Sequence, residues 1–164
     1  MKIGYRPEID GLRALAVTAV IVYHAELMLG ARKVLPGGYL GVDIFFVISG
    51  FLITSLMIRE LRDTGTVSIM RFYERRIRRL LPVLITVLLV SLPFAWRYLL
   101  PEGLVEFSQS LIASLGFVSN VFWDFSAQEY GADSSLLKPL LHTWSLAVEE
   151  QYYIFFPIFF ILVA

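Results

Sequence analysis

Long apolar runs are the feature that most restricts how this chain can fold. The four main runs cover residues 12–29, 39–58, 80–100 and 152–164, and a shorter, more polar run covers residues 107–123. A transmembrane helix needs ~20 consecutive, mainly apolar residues, and the longer runs are close to that length. The sequence therefore predicts an all-α fold, a polytopic transmembrane helix bundle with about five membrane helices in this chain.

The composition supports a membrane protein and excludes several kinds of site. Hydrophobic residues make up 57% of the 164 residues and charged residues 17%, whereas a soluble domain carries about 25% charge. The chain has no cysteine, which excludes disulfides, thiolate metal sites and cysteine nucleophiles. Its two histidines are too few for a histidine-rich metal cluster. We expect neither a metal nor a nucleic-acid partner.

The predicted helices cover approximately residues 11–30, 39–59, 79–100, 106–122 and 142–164. No cleavage pattern follows the first apolar run, so we expect it to remain as a helix. The fourth helix is expected either to cross the membrane or to tilt or re-enter, because the loop after it is acidic and suits the outside. The last run continues to residue 164 without a polar flank, so we expect one domain over residues 1–164 that continues in a larger membrane protein.

The arginines are unevenly distributed along the chain. Seven of the eleven lie between Arg59 and Arg79, in the connector that follows the second apolar run. Because short cytoplasmic loops carry an excess of Lys and Arg, this connector is predicted to be cytoplasmic. The N-terminus is then also cytoplasmic, and the loop around Gly30 faces outward.

The first predicted helix carries an arginine near its start and a histidine near its end. Arg13 and His24 are eleven positions apart, with ten residues between them, which at ~100° per residue returns the helix to nearly the same face. Ionisable groups inside membrane helices cost ~2.5–3.5 kcal/mol and usually face the protein interior or a water-filled path. Histidine, with an unperturbed pKa of about 6.5, can act as a base near neutral pH. His24 is therefore a candidate general base; alternatively, it marks the polar end of the helix and hydrogen-bonds a neighbour.

Asp43 lies about one turn inside the second predicted helix. The loop between the first two helices is short, so we expect an antiparallel pair with Asp43 at roughly the depth of His24. A carboxylate there would orient the imidazole and stabilise its protonated form. The alternative is a structural role, in which Asp43 caps its helix or pairs with Arg32 or Lys33.

The run RFYERRIRR contains a candidate anion site. Arg76 and Arg79 are three residues apart, project from one side of a helix start, and have guanidinium groups that suit phosphate oxygens. Amide groups of the helix N-terminus would add to the attraction. The alternative is a purely topological role, in which these arginines hold the orientation and contact anionic lipid.

Two adjacent acids stand at the start of the last predicted helix. Glu149 and Glu150 point about 100° apart, so at most one of them faces a shared cavity. We select Glu149 as the candidate site residue. The other acid would meet the interface or a partner such as Arg97 or Lys138.

Four stretches of the sequence together match a known family. They are YRPEIDGLRALAV followed by His24, GGYLGVDIFFVISGFLIT, FYERRIRRLLP, and PLLHTWSLAVEEQYYIFFP. With these motifs in this order, the chain resembles the acyltransferase 3 family of integral membrane acyltransferases, especially O-antigen and lipopolysaccharide O-acetyltransferases. Since that family has about ten membrane helices, the resemblance implies that this chain is an N-terminal half.

The resemblance also implies a reaction and roles for single residues. The reaction is transfer of an acyl group, usually acetyl, from cytoplasmic acyl-CoA to a hydroxyl of a cell-surface glycan such as lipopolysaccharide O-antigen. His24 matches the family's essential histidine and Arg13 its partner, while Arg76 and Arg79 match the arginine pair that engages the CoA phosphates. Acetyl-CoA is then the donor substrate, and the location is a bacterial inner membrane.

Two other functions fit the same residues. In a proton-coupled transporter or flippase of a glycan or lipid precursor, Arg13, His24 and Asp43 would line a path, and no CoA would be consumed. In a scaffold or sensor, the intramembrane charges would only pair helices.

Overall fold

The computed structural model describes residues 6–128 and 138–163. In this part of the chain, six α-helices follow one another: α1 (Pro7–His24), α2 (Gly41–Thr64), α3 (Ile69–Tyr98), α4 (Pro101–Leu115), α5 (Ser119–Gln128) and α6 (Thr143–Val163). Strands β1 (Met28–Leu29) and β2 (Arg32–Lys33) pair as a short antiparallel hairpin, and a 3-10 turn covers Gly38–Leu40. Apart from the hairpin, the predicted all-α class is confirmed for these residues.

Three segments of the described chain are long and apolar enough to cross a bilayer: Gly38–Thr64, Ile69–Tyr98 and Thr143–Val163. By their length and composition, these segments support the predicted membrane protein. The predicted number of about five membrane helices is not confirmed. Helix α1 has 18 residues and carries Arg13 and two acids, while α4 and α5, with 15 and 10 residues, are shorter than the ~20 residues of a typical membrane span.

The chain forms two compact units, and the first of them ends at Thr66. In this unit α1 packs against α2, and two glycines allow the close approach. A Cβ atom on Gly41 would lie within 3.0 Å of the carbonyl oxygen of Ala16, and one on Gly38 would lie equally close to that of Ala19. Small residues at such positions let two helix backbones approach each other.

Helix α1 ends earlier than predicted, at His24 instead of residue 30. The backbone turns at Glu26, which has a φ of 49°, and again at Gly30, which has a φ of 63°, and neither value fits a right-handed helix. A hydrogen bond of 2.8 Å from Lys33 Nζ to Glu26 Oε1 links the two ends of the hairpin segment. This hydrogen bond, together with the charge of Lys33, lowers the pKa of Glu26. Lys33 therefore pairs with Glu26 and not, as one alternative had it, with Asp43.

The second unit begins at Val67, and its first helix starts ten residues before the predicted start at residue 79. Ser68 caps the helix by accepting a hydrogen bond from the backbone N–H of Arg71. The arginine-rich run therefore lies inside α3 and not in a connector. With 30 residues α3 is ~45 Å long, whereas the bilayer core is ~30 Å thick. This length lets the arginine-rich turns extend beyond the hydrocarbon region.

The predicted fourth helix, residues 106–122, is two shorter helices. Helix α4 ends at Leu115, and Phe117 has a φ of 53°, which interrupts the helical path before α5 begins at Ser119. The amide of Val118 donates to the carbonyl oxygen of Ala113 across the turn, at 2.9 Å. The predicted acidic loop after the fourth helix falls partly on residues 129–137, which lie outside the described residues.

An apolar cluster and a set of polar contacts hold the second unit together. The buried members of the cluster come from α3, α4, α5 and the segment before α6: Leu84, Leu88, Ala95, Phe107, Trp123 and Leu140. Hydrogen bonds then fix α6, because the Ser114 and Thr143 hydroxyls lie 2.9 Å apart and Ser119 Oγ donates to the Thr143 carbonyl at 2.9 Å. These contacts set the position of the first turns of α6, which carry the two adjacent glutamates.

A buried lysine joins α4 and α5. Lys138 Nζ donates to Glu106 Oε1 at 2.8 Å and to Ser126 Oγ at 2.9 Å, and Ser126 Oγ donates to Glu106 Oε1 at 2.6 Å. Burial acts to raise the pKa of Glu106, but these hydrogen bonds and the charge of Lys138 outweigh it, so the pKa lies below its usual value. The suggestion that Lys138 pairs with one of the two adjacent glutamates is therefore wrong.

Candidate functional site

Arg13 lies in the middle of α1 and contacts α2. Its guanidinium carbon is 5.2 Å from the centroid of the Phe45 ring, and the side chain is half-buried. A cation over an aromatic face is attracted by the ring's quadrupole. The Phe45 ring therefore holds the charge of Arg13 against α2.

His24 is the last residue of α1 and is exposed. Its Nδ1 atom lies 2.9 Å from the carbonyl oxygen of Val20. Since a carbonyl can only accept, this hydrogen bond requires the proton to be on Nδ1, which in a neutral imidazole leaves the lone pair on Nε2. The helix thus fixes the tautomer and presents the basic nitrogen away from its own backbone.

The contacts between α1 and α2 place Asp43 away from His24. Gly41 packs at Ala16, and Phe45 packs against Arg13. Asp43, between these two α2 residues in sequence, is therefore level with about residue 15 of α1, ~14 Å along the axis from His24. It also points ~160° away from the two residues that face α1, and it is exposed. The prediction that Asp43 lies at the depth of His24 is wrong. The 3-10 turn before α2, and not α2 itself, packs against the last turns of α1, so Asp43 lies below the level of His24.

Arg76 stands in a cluster formed by α3 and α6. Its guanidinium carbon is 3.1 Å from the centroid of the Tyr153 ring and 5.6 Å from that of Phe72. Both aromatic side chains are buried, with 2% and 6% of their surface exposed. Arg76 Nε is also buried and has no hydrogen-bond partner among the described residues. Arg76 is therefore a partly buried cation that packs against two aromatic rings, and not a freely solvated surface charge.

The two adjacent glutamates have different surroundings in this cluster. Glu149 accepts a hydrogen bond from the Tyr153 hydroxyl one turn later in α6. Glu150 is partly buried near Arg76, and its Oε1 atom has no hydrogen-bond partner within the described part of the chain. Glu149 therefore contacts the Arg76 cluster directly, through Tyr153, whereas Glu150 interacts with Arg76 only through its charge.

The remaining arginines of the run are more exposed. Arg79 is exposed on α3, and Arg78 forms a 2.8 Å salt bridge with Glu74. Arg76 is the eighth residue of α3, so it lies ~10 Å from the first amide groups of the helix. The prediction that amide groups of the helix N-terminus assist anion binding at Arg76 is therefore wrong. The unpaired amides belong to the first turn of α3.

The described residues hold no metal-ligand group, and the second histidine, His142, lies at a helix end. Residues 6–128 and 138–163 contain no group of three or more His, Asp or Glu side chains arranged to hold a metal ion. His142 is exposed, and its Nδ1 lies 3.1 Å from the Pro139 carbonyl oxygen. It precedes α6 and contacts its own turn, as a helix-end residue would.

The comparison with known proteins identifies the family. Residues 6–164 match the acyltransferase domain that defines the acyltransferase 3 family. The chain belongs to the acyltransferase 3 family. Because the match covers nearly the whole chain, membership in the acyltransferase 3 family applies to both compact units.

Relatives of this acyltransferase 3 chain are named as O-acetyltransferases. It is 45% identical, over 96% of its length, to a protein provisionally named an O-acetyltransferase in Staphylococcus aureus strain MSSA476. It is 42% identical, over 94% of its length, to the O-acetyltransferase OatA of S. aureus strain NCTC 8325. The chain spans 25% and 24% of these two relatives' lengths. No solved structure gives a significant match.

Sequence patterns for this acyltransferase 3 chain missed the aromatic members of the Arg76 cluster. Tyr153 and Phe72 carry no charge and resemble the many aromatic residues that occupy membrane interfaces. The one available signal was the spacing of Glu149 and Tyr153, four residues apart on one helix face. That spacing predicts a contact between the two side chains, but not that Arg76 of another helix joins them.

Proposed function

We propose that this chain is part of a membrane O-acyltransferase that transfers an acyl group, acetyl in the simplest case, from acyl-CoA to a hydroxyl of a cell-surface glycan. Lipopolysaccharide O-antigen is one such acceptor. The proposal rests on family membership and on one observation above the others. His24 is exposed at a helix end, with its Nδ1 hydrogen-bonded to a carbonyl and its Nε2 lone pair available.

In the proposed reaction, His24 Nε2 accepts the proton of the acceptor hydroxyl. The hydroxyl oxygen attacks the thioester carbonyl, the new C–O ester bond forms, and the C–S bond breaks. The proton then passes from the imidazolium to the departing CoA thiolate, so the products are the acylated glycan and free CoA. General-base assistance of this kind contributes about 10²–10⁴-fold to a rate. A transient acyl-histidine is a less favoured variant.

We assign the phosphate groups of the acyl donor to Arg76 and Arg79. Guanidinium groups form paired hydrogen bonds with phosphate oxygens through their in-plane N–H groups. Arg13 is a further candidate for the donor's negative charge. The arginine-rich start of α3 supports a cytoplasmic position for this site, with the N-terminus on the same side of a bacterial inner membrane.

The acidic residues take secondary parts in the proposal. Glu149 supports the Arg76 cluster through Tyr153, and its proposed contribution is to donor binding and not to proton transfer. Asp43 stays a candidate site residue, but its position on α2 gives it no direct contact with the imidazole. Its charge would have to act on the acceptor or on another part of the protein.

One assay separates this proposal from its rivals. The full-length protein, reconstituted in vesicles, is supplied with acetyl-CoA labelled in the acetyl group and with candidate glycans on the other side. An acyltransferase moves label to the glycan and releases free CoA in equal amounts. A transporter or flippase moves glycan without consuming acetyl-CoA, and a scaffold does neither.

A further inference from the structure

One residue of the Arg76 cluster, Tyr153, contributes to donor binding indirectly. We infer that Tyr153 is a positioning residue that holds the Arg76 guanidinium in its binding orientation, an inference that rests on the proposed function. The ring of Tyr153 lies 3.1 Å from the guanidinium carbon, closer than any other cation-aromatic pair in the described chain.

Stacking on a ring suits a phosphate-binding arginine better than a salt bridge does. A carboxylate that held Arg76 in a fork would use the in-plane N–H groups that an anionic ligand also needs. An aromatic ring contacts the guanidinium face and leaves the in-plane donors for the ligand. Nε is buried and has no acceptor in the described residues, so no carboxylate holds this edge of the guanidinium.

Tyr153 is itself held at both ends. Its hydroxyl donates to Glu149 in the preceding turn of α6. Its backbone carbonyl accepts from the Tyr73 hydroxyl of α3 at 3.3 Å, and the carbonyl of Ile154 accepts from the same hydroxyl at 3.0 Å. Because Pro157 has no N–H, the Tyr153 carbonyl lacks its usual donor within the helix, and Tyr73 supplies one.

These contacts make a chain of support from α6 to the arginine. Glu149 fixes the Tyr153 hydroxyl, Tyr73 fixes the backbone below the ring, and the ring fixes the guanidinium of Arg76. Tyr153 is 2% exposed, so the ring has little freedom to turn away. Loss of the ring is therefore expected to loosen Arg76 without removing its charge.

The test measures the KM for acetyl-CoA and kcat in the reconstituted full-length protein. Tyr153→Met and Tyr153→Leu remove the aromatic face, and each should raise the KM about tenfold while kcat changes less than about twofold. Tyr153→Phe keeps the ring and loses only the hydrogen bond to Glu149, so its KM should lie between those of the wild type and Tyr153→Met. Phe155→Leu is the matched control, because Phe155 is an aromatic residue of the same helix that is 69% exposed.

A double-mutant cycle with Arg76→Ala separates positioning from a general structural role. If Tyr153 acts through Arg76, Tyr153→Met adds no further rise in KM once Arg76 is absent. The inference is overturned if Tyr153→Met is silent, if it lowers kcat at unchanged KM, or if its effect persists undiminished beside Arg76→Ala. If wild-type protein neither binds nor consumes acetyl-CoA, the proposed function fails as well, whereas an active wild type with a silent Tyr153→Met rejects this inference alone.

Discussion

Gly41 of α2 lies so close to Ala16 of α1 that a Cβ atom on the glycine would be within 3.0 Å of the alanine carbonyl oxygen. This contact sets the register of the two helices. It places Phe45 beside Arg13 and leaves His24 near the end of the pair, beyond the level of Asp43. The relative positions of Arg13, His24 and Asp43 therefore depend on the close approach of Gly41 to α1.

A side chain at Gly41 should disturb this register. We expect Gly41→Ala to destabilise the protein by about 1–3 kcal/mol, the usual cost of overpacking, because the atom in its way belongs to backbone. Gly11→Ala is the control, since a Cβ atom there would have nothing within 4 Å. Thermal unfolding of the detergent-solubilised protein measures both, and equal midpoints for the two variants would contradict the register.

The Glu106–Lys138 pair should make stability depend on acid pH. The pKa of Glu106 is lowered in the folded protein, so its contribution is present above the unfolded pKa and is lost as pH falls through the folded pKa. At neutral pH we expect Glu106→Gln to cost about 1–3 kcal/mol, since it leaves the buried Lys138 without a carboxylate.

Unfolding midpoints measured from neutral pH downward test this expectation. The gap between wild type and Glu106→Gln should close as pH falls below the usual range of a glutamate. Glu102→Gln in the same helix is the control, because Glu102 is exposed and should leave the midpoint near that of the wild type. A gap that stays constant with pH would mean that Glu106 does not stabilise the fold through its charge.

Removal of the proposed donor-binding arginines should weaken acetyl-CoA binding more than turnover. We expect Arg76→Ala or Arg79→Ala to raise the KM for acetyl-CoA about 10–100-fold, the loss of a charge-assisted hydrogen bond. Arg97→Ala is the matched control, because Arg97 lies in the last turn of the same helix. Equal effects of all three substitutions would favour the purely topological role.

Asp43 should not act through the imidazole of His24. We expect Asp43→Asn to leave the shape of the pH–rate profile unchanged, whatever it does to the maximal rate. Removal of a carboxylate that contacts a catalytic imidazole would instead shift the acid limb of that profile. A shifted limb in Asp43→Asn would therefore contradict the register between α1 and α2.

The sequence predicted the helices best where apolar runs were uninterrupted. The last helix, predicted at residues 142–164, is observed at Thr143–Val163, and α2 agrees to within a few residues at its start. The arginine-rich start of α3 was missed because its charges end the apolar run, although arginine is itself a good helix former. The split between α4 and α5 depends on the left-handed backbone at Phe117, which residue type does not signal.

The candidate site was predictable as a set of residues but not as an arrangement. Helical spacing placed Arg13 and His24 on one helix, as the structure has them. Spacing along one helix cannot set the register between two helices, which depends on how closely Gly41 approaches α1. For the same reason, the ring of Tyr153 on α6 could not be assigned to Arg76 on α3.

The central claim is that His24 is the general base, and a substitution that preserves its backbone contact tests it most directly. In His24→Asn the side-chain amide can still donate to the Val20 carbonyl, but no basic nitrogen remains. With His142→Asn as control, acetyl transfer from labelled acetyl-CoA to glycan is measured in vesicles that contain equal amounts of folded protein. We predict that His24→Asn lowers the rate about 10²–10⁴-fold while His142→Asn stays near wild type. Transfer by His24→Asn at the wild-type rate would contradict the account.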